Sequence, residues 1–234
     1  MHLFCCFTPA HGVLYEKIFA PSVPKGFEVH PTPIEETGNG DFLSPEFLRC
    51  IRRKLDLIRD SLKNHEGQIL VWSDVDIRFV NLTPVTLLAD FESAKSDIAF
   101  QRESPRLTDV NTGFFVCLAN HAVRELFDQV QSHLHENPAI NEQMAMNHLL
   151  RVPNAPSLPA WNHLPRTYYA RTHGWPPPSK LALYHANYTK GPDAIGQKLA
   201  QFHELETLLQ GGWPARILSI AKRIPNKLLC PQTR

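Results

Sequence analysis

Two aspartates separated by one residue, Asp74-Val75-Asp76, follow directly on the apolar run Ile69-Leu70-Val71-Trp72-Ser73. Such a run reads as a buried strand, and residues two apart on a strand face the same side. Where the strand gives way to a turn, both carboxylates can converge on one ion. Hard oxygen ligands suit Mg²⁺ or Mn²⁺, ions that commonly share their coordination with substrate phosphates. A second constellation, Asn111-Thr112-Gly113, precedes the apolar Phe114-Phe115-Val116. Its neutral polar groups suit sugar hydroxyls, and glycine lets a ligand approach the backbone. A third is Asn141-Glu142-Gln143 with Asn147. On a helix Gln143 and Asn147 share a face, and three amides with one carboxylate can grip a sugar ring and hold negative charge near its anomeric carbon. The fourth is the run Tyr184-His185-Ala186-Asn187-Tyr188-Thr189-Lys190-Gly191. Here His185 offers a neutral nitrogen to a metal, and Lys190 offers a compact cation to a leaving diphosphate. Each constellation also has a bland reading: solvated turn aspartates, a turn entering a strand, a capped helix N-terminus, a structural histidine.

These residues need a scaffold that brings them together. Apolar runs predict strands over 2–8, 26–30, 68–73, 97–101, 111–118 and 181–185. Helices are expected over 11–20, 84–91, 119–135, 140–150 and 193–209. The clearest helix starts at Ser44, a good N-cap, with Pro45 at the first helical position. Its Phe47, Leu48, Ile51, Leu55, Ile58 and Leu62 form one stripe, and Gly67 stops it. The Pro-rich stretch 152–180 reads as one long ordered loop. Strands alternating with helices give an α/β fold, a single domain with a mixed sheet. In such sheets ligands gather at the carboxyl ends of strands, which is where Asp74 and Asp76 fall.

Taken in order, the four constellations resemble the nucleotide-diphospho-sugar transferase domain and the related retaining glycosyltransferases of the galactosyltransferase and glycogenin kind. The likeness runs across roughly residues 1–190. The run 69–79 resembles that family's apolar strand ending in Asp-x-Asp. Asn111-Thr112-Gly113-Phe114 resembles its Asn-x-Gly-apolar element, Glu142-Gln143 with Asn147 its Asp-Gln pair and following Asn, and His185 with Lys190 its C-terminal His and Lys. The resemblance implies a GT-A fold, a Rossmann-like mixed sheet flanked by helices. It implies that Asp76 and His185 bind Mn²⁺ or Mg²⁺, with Asp74 touching metal or ribose. It further implies that Asn111, Gly113, Glu142 and Gln143 surround the donor sugar, Glu142 and Gln143 as the catalytic pair. Asn147 and Asn187 count with the donor-binding residues, Lys190 meets the diphosphate, Thr8 lies near the base and Lys54 approaches the donor. The expected reaction is sugar transfer from a nucleotide-diphosphate sugar, a UDP-sugar first, with retention. The acceptor, whether glycan, lipid or protein, has no motif. Two departures stand out: the pair begins with Glu142 rather than Asp, and Gly191-Pro192 follows Lys190 where the family often has Pro-Trp.

Composition bounds these readings. Charges nearly balance at +1, which argues against a nucleic-acid partner. The five cysteines form no CxxC pair and read as reduced thiols in a cytoplasmic protein. No apolar run reaches the ~20 residues needed to span a bilayer. The segment 1–8 is expected to be a first strand rather than a leader. After a domain over 1–190, residues 191–234 are expected to hold a helix and a basic amphipathic tail. That tail, over 212–234, is a candidate for peripheral contact with an anionic membrane. Two other readings fit parts of the sequence: a non-catalytic nucleotide- or glycan-binding module of the same fold, and an Asp-x-Asp phosphatase.

Overall fold

The computed structural model describes residues 1–35, 42–104, 108–152, 158–171, 177–189, 191 and 193–211. Lys190 and the basic tail over 212–234 lie outside them. Nine strands are described: β1 (His2–Phe7), β2 (Glu28–Pro33), β3 (Ile69–Ser73), β4 (Ile77–Phe79), β5 (Ile98–Arg102), β6 (Val110–Leu118), β7 (Trp161–His163), β8 (Tyr168–Ala170) and β9 (Leu183–His185). The longer helices are α1 (Pro45–Asn64), α2 (Pro84–Ala94), α3 (His121–Glu136), α4 (Glu142–Leu150) and α5 (Ala194–Gln210). A further helical segment over 9–22 is assembled from 3₁₀, α and π turns.

Six strands form one mixed sheet in the order β2-β1-β3-β6-β5-β7. β1 runs parallel to β2 and β3, while β6 runs antiparallel to both β3 and β5. The period-2 alternation of strand side chains sends their apolar groups into two cores. On one side Leu3, Val71, Ala99 and Val116 pack with Leu14, Phe19, Leu87, Phe202 and Leu205, so the 9–22 segment, α2 and α5 cover that face. On the other, Leu70, Trp72, Phe100 and Phe115 pack with Leu55, Ile58, Leu62, Leu126, Phe127 and Met146 of α1, α3 and α4. Burying each large apolar side chain of this kind contributes about 1.5–3 kcal/mol. A second, three-stranded sheet in the order β4-β9-β8 joins the first core.

Local signals set the helix ends. Ser44 Oγ accepts from Phe47 N–H at 3.1 Å and opens α1 as expected. Gly67 takes φ +77° just past its end, a left-handed conformation that suits glycine. Asn141 caps α4 by accepting from Met144 N–H at 2.8 Å. The stretch 152–180 is not one loop: its described part contains β7 and β8, and β4 was also unforeseen. Strands of three residues are too short to carry an alternation that a sequence pattern can reveal.

Candidate active site

Because β1 and β3 are parallel and β6 opposes β3, Thr8, Asp74 and the first residues of β6 reach the same end of the sheet. Asp74 N–H donates to Gly113 carbonyl oxygen at 2.7 Å and ties the two strands together there. In the small sheet Ile77 pairs with His185, and Ala186 N–H donates to the Asp76 carbonyl at 2.9 Å. His185 is thereby set beside Asp76. The N-terminus of α4 brings Glu142 and Gln143, and the first turns of α5 bring Lys198. Together these groups line a cleft of about 790 Å³, within the size range of small-molecule sites.

Asp74, Asp76 and His185 each present a ligand atom, and the three atoms lie within 4.8 Å of one another. The state of His185 can be read from its neighbours. Gln101 Nε2 donates to the Tyr168 carbonyl at 3.3 Å, so its Oε1 faces His185 Nδ1, 2.9 Å away. An amide oxygen only accepts, so Nδ1 carries a proton and Nε2 is the ring nitrogen turned toward Asp76. That Nε2 is 3.3 Å from Asp76 Oδ1. A ring nitrogen and a carboxylate oxygen at this distance are drawn together by a proton or a cation between them. Two carboxylates and an imidazole nitrogen are groups that can hold a divalent cation.

Gly113 supplies the room. A Cβ there would lie 2.4 Å from His185 Cε1, 2.9 Å from Asn111 Oδ1 and 3.0 Å from Asp74 Oδ2. The residue is glycine because any side chain would fill the space these three share. Gly113→Ala is therefore expected to weaken Mn²⁺ binding by at least about tenfold in calorimetric titration. An unchanged affinity would mean that these groups do not share an ion.

Charge in the site is arranged in two linked groups. Lys54 Nζ lies 2.8 Å from Asp74 Oδ1 and 3.0 Å from Glu142 Oε1, and it donates to the Thr112 carbonyl at 3.4 Å. Its side chain is 6% exposed. Burial alone would strip its proton, but the two carboxylates hold it charged, well above its ordinary range. In the second group, burial works against ionising Asp76, yet Lys198 and His185 outweigh it and hold this carboxyl well below its ordinary range. Asp74 shifts the other way: burial raises it, and Asp76 adds to the rise against the pull of Lys54. The pair thus divides into one carboxyl held low by its cations and one pushed up by burial and by its neighbour.

Neutral groups complete the wall. Asn111 Nδ2 donates to Glu103 Oε2 at 2.5 Å, and Gln143 Nε2 reaches the same oxygen at 3.1 Å. Thr112 Oγ1 donates to Glu142 Oε1 at 3.2 Å. Glu142 Oε2 is buried and takes no hydrogen bond among the described residues, a buried acceptor left without a donor. Asn187 lines the cleft and is held by Gln201 Nε2, which donates to its carbonyl at 3.2 Å. Thr8 lines it too, bonded to His11 Nδ1 at 2.8 Å. Asn147 stands behind the wall: its amide spends itself on Val110 N–H, Val110 carbonyl and Gln143 carbonyl, locking α4 to β6. Sequence reasoning missed Lys198, Gln101, Glu103 and His11. Gln101 alone left a signal, a polar residue at the end of an otherwise buried strand. Cys6 also lines the cleft, but burial, with Asp74 adding to it, pushes its thiol up and keeps it protonated, which removes it as a nucleophile.

His11 gives the site a pH signature. Burial, assisted by Lys198 and opposed by Asp76, pulls its pKa from 6.5 down to about 4. Below 6.5 the unfolded chain takes up a proton that the folded ring refuses until about 4. Its contribution to stability is therefore full above 6.5 and is lost as pH falls toward 4. Urea unfolding at pH 7 and pH 4.5 should show the wild type losing on the order of 2 kcal/mol more than His11→Gln, allowing for the ring's partial exposure. Equal losses would contradict this placement.

A sequence model of the family described as nucleotide-diphospho-sugar transferase matches residues 22–201. No curated protein sequence matches the chain. Among solved structures, a glycosyltransferase involved in glycosylation of the major capsid of PBCV-1 aligns with TM-score 0.58 and 13% identity, over 85% of this chain and 97% of that one. The galactosyltransferase LgtC, solved with donor and acceptor sugar analogs, aligns with TM-score 0.53 and 13% identity, over 88% and 95%. The glycosyltransferase GlyE of Streptococcus pneumoniae TIGR4 aligns with TM-score 0.52 and 13% identity, over 85% of this chain but 60% of that one. At such identities these likenesses establish the fold, and that fold is the GT-A arrangement expected from the sequence.

Proposed function

The chain belongs to the nucleotide-diphospho-sugar transferase family, and on that premise we propose that it transfers a sugar from a nucleotide-diphosphate donor, a UDP-sugar first, with a divalent cation held by Asp74, Asp76 and His185. The observation that carries this reading is the convergence of those three ligand atoms within 4.8 Å around the space that Gly113 leaves open. Mn²⁺ or Mg²⁺ bound there supplies Lewis-acid charge for a departing diphosphate.

The chain's own residues do the rest. Asp76 stays ionised at neutral pH because Lys198 and His185 sit on it. Gln101 fixes the His185 tautomer so that Nε2 is available. Breaking the sugar–phosphate bond builds negative charge on the diphosphate, and fixed cations that need no reorganisation stabilise it most effectively. Lys198 is such a cation, and Lys190 is its partner in this proposal. As charge at the anomeric carbon becomes positive, Glu142 and Gln143 face it. Lys54 and Thr112 hold Glu142 Oε1 and so fix its carboxylate in place. Retention at the anomeric carbon is part of this proposal, as the family resemblance implies.

Thermal unfolding tests the donor. A ligand that binds only the native state raises the melting temperature by mass action. With a panel of nucleotide-sugars, a shift is expected for one donor in the presence of Mn²⁺ and not in Asp76→Asn. The absence of a shift with any of them would leave a module that no longer holds a donor. Contact of residues 212–234 with an anionic membrane is a separate proposal. Co-sedimentation with anionic liposomes should be lost on deletion of 212–234 and in high salt, and its absence in the full chain would end the idea. Among the described residues no helix is long and apolar enough to cross a membrane.

A further inference from the structure

The opposite end of the sheet carries a second cluster of metal-ligating groups. His2 opens β1, and Glu28 and His30 lie on β2. In the parallel register His2 pairs with Glu28 and Phe4 with His30, so all four side chains stand on the same face. None of the three lines the cleft: His2 lies six strand steps before Thr8, about 20 Å at ~3.3 Å per residue, and His30 stands level with Phe4, about 13 Å before it. His2 Nδ1 lies 2.9 Å from His30 Nε2 and 3.3 Å from Glu28 Oε2, and His30 Nε2 lies 3.6 Å from Glu28 Oε1.

We propose that His2, Glu28 and His30 form a site for a divalent transition metal of the zinc class. The argument is one of spacing. Zinc bound tetrahedrally at about 2.0–2.1 Å to nitrogen and oxygen sets its ligands about 3.3–3.4 Å apart. The three contacts, 2.9, 3.3 and 3.6 Å, scatter around that value, the two histidines reaching different oxygens of Glu28. Two imidazoles and one carboxylate are also the ligand mixture that favours zinc and its neighbours over Mg²⁺ or Mn²⁺. The rings are pre-positioned: Phe4 stacks on His30 with centroids 4.5 Å apart and planes 15° apart. His65, at the end of α1, places its ring 4.8 Å from that of His2. Its Nδ1 is 3.0 Å from the Ser61 carbonyl, which assigns the proton to Nδ1 and the lone pair to Nε2. His65 is therefore the nearest further imidazole that could close the coordination. Without metal, the short contact between His2 and His30 is an ordinary hydrogen bond in which one nitrogen carries the proton. Zinc would replace that proton and cross-link the edge strand β2 to β1.

The test titrates Zn²⁺ calorimetrically into the untagged full chain carrying Asp74→Asn and Asp76→Asn, which removes the first metal group. The same titration is run with His30→Ala added and, separately, with His2→Gln added. Far-UV circular dichroism checks that each variant is folded, and His2→Gln serves alone if His30→Ala is not. The expected result is one equivalent of zinc in the parent, a melting temperature raised by zinc, and binding at least about tenfold weaker in either histidine variant. No zinc uptake by the parent overturns the proposal and leaves a hydrogen-bonded triad. Uptake unchanged by both histidine variants also overturns it, and assigns the zinc to other groups such as the free thiols. Because the readout is zinc binding in a chain without the Asp74 and Asp76 carboxylates, failure here says nothing against the transferase reading.

Discussion

Lys54→Met should cost about 3–5 kcal/mol of stability, the usual consequence of removing one partner from a buried ionic group. For a chain of this size that corresponds to a fall in melting temperature of roughly 6–20 °C. The size of the effect comes from what is left behind. Lys54 is the shared counter-ion of Asp74 and Glu142, whose side chains are 32% and 7% exposed. Without it, Glu142 is a buried carboxylate whose Oε2 already lacks a partner. The deficit should shrink as pH falls, because Asp74, whose carboxyl burial already pushes up, no longer needs the ammonium once protonated. It should also shrink in Lys54→Met/Glu142→Gln, since the double change removes charge from both sides. Denaturant unfolding of the wild type, both single variants and the double variant measures this coupling. Additive losses would show that Lys54 does not balance Glu142.

The second large effect concerns chemistry rather than folding. Asp76→Asn is expected to reduce sugar transfer, or donor hydrolysis without acceptor, by about 10²–10³-fold, the range seen when a preorganised electrostatic contact to developing charge is lost. The loss should appear in kcat/KM with Mn²⁺ saturating, and excess Mn²⁺ should recover only part of it. Asparagine keeps the shape and removes the ionised oxygen that Lys198 and His185 hold charged. The asparagine oxygen can still accept from Lys198, so the fold should survive. A variant that unfolds, or one with full activity, would each argue that Asp76 is a structural ion-pair partner.

The pattern of what could be read from the sequence has physical reasons. Asp74 and Asp76 were legible because an unbroken apolar strand stops abruptly at two carboxylates. His185, Gly113 and Glu142 were legible because each sits where a strand or helix begins or ends, and such ends converge in an α/β sheet. The cap at Ser44 and the glycine at 67 were legible because they act on neighbours a few residues away. Lys198 was not, because its value depends on α5 crossing the first core so that a helix 122 residues beyond Asp76 touches it. Glu103 bridges Asn111 and Gln143 from just past the end of β5, and only the fold brings those three together. Asn147 was read correctly as sharing a face with Gln143, but its amide is consumed by the backbone of β6. Helical spacing tells which residues are neighbours and not which way their hydrogen bonds run. The His2–Glu28–His30 cluster left no trace because its members pair across two strands 26 residues apart.

The most direct measurement is the release of nucleoside diphosphate from a panel of nucleotide-sugars, followed by chromatography, with and without Mn²⁺ and without acceptor. The account predicts slow, Mn²⁺-dependent release from one donor, a UDP-sugar first, that disappears in Asp76→Asn. No release from any donor with Mn²⁺ or Mg²⁺, by wild-type protein that is folded, would contradict it and point to a binding module that has kept the fold without the chemistry.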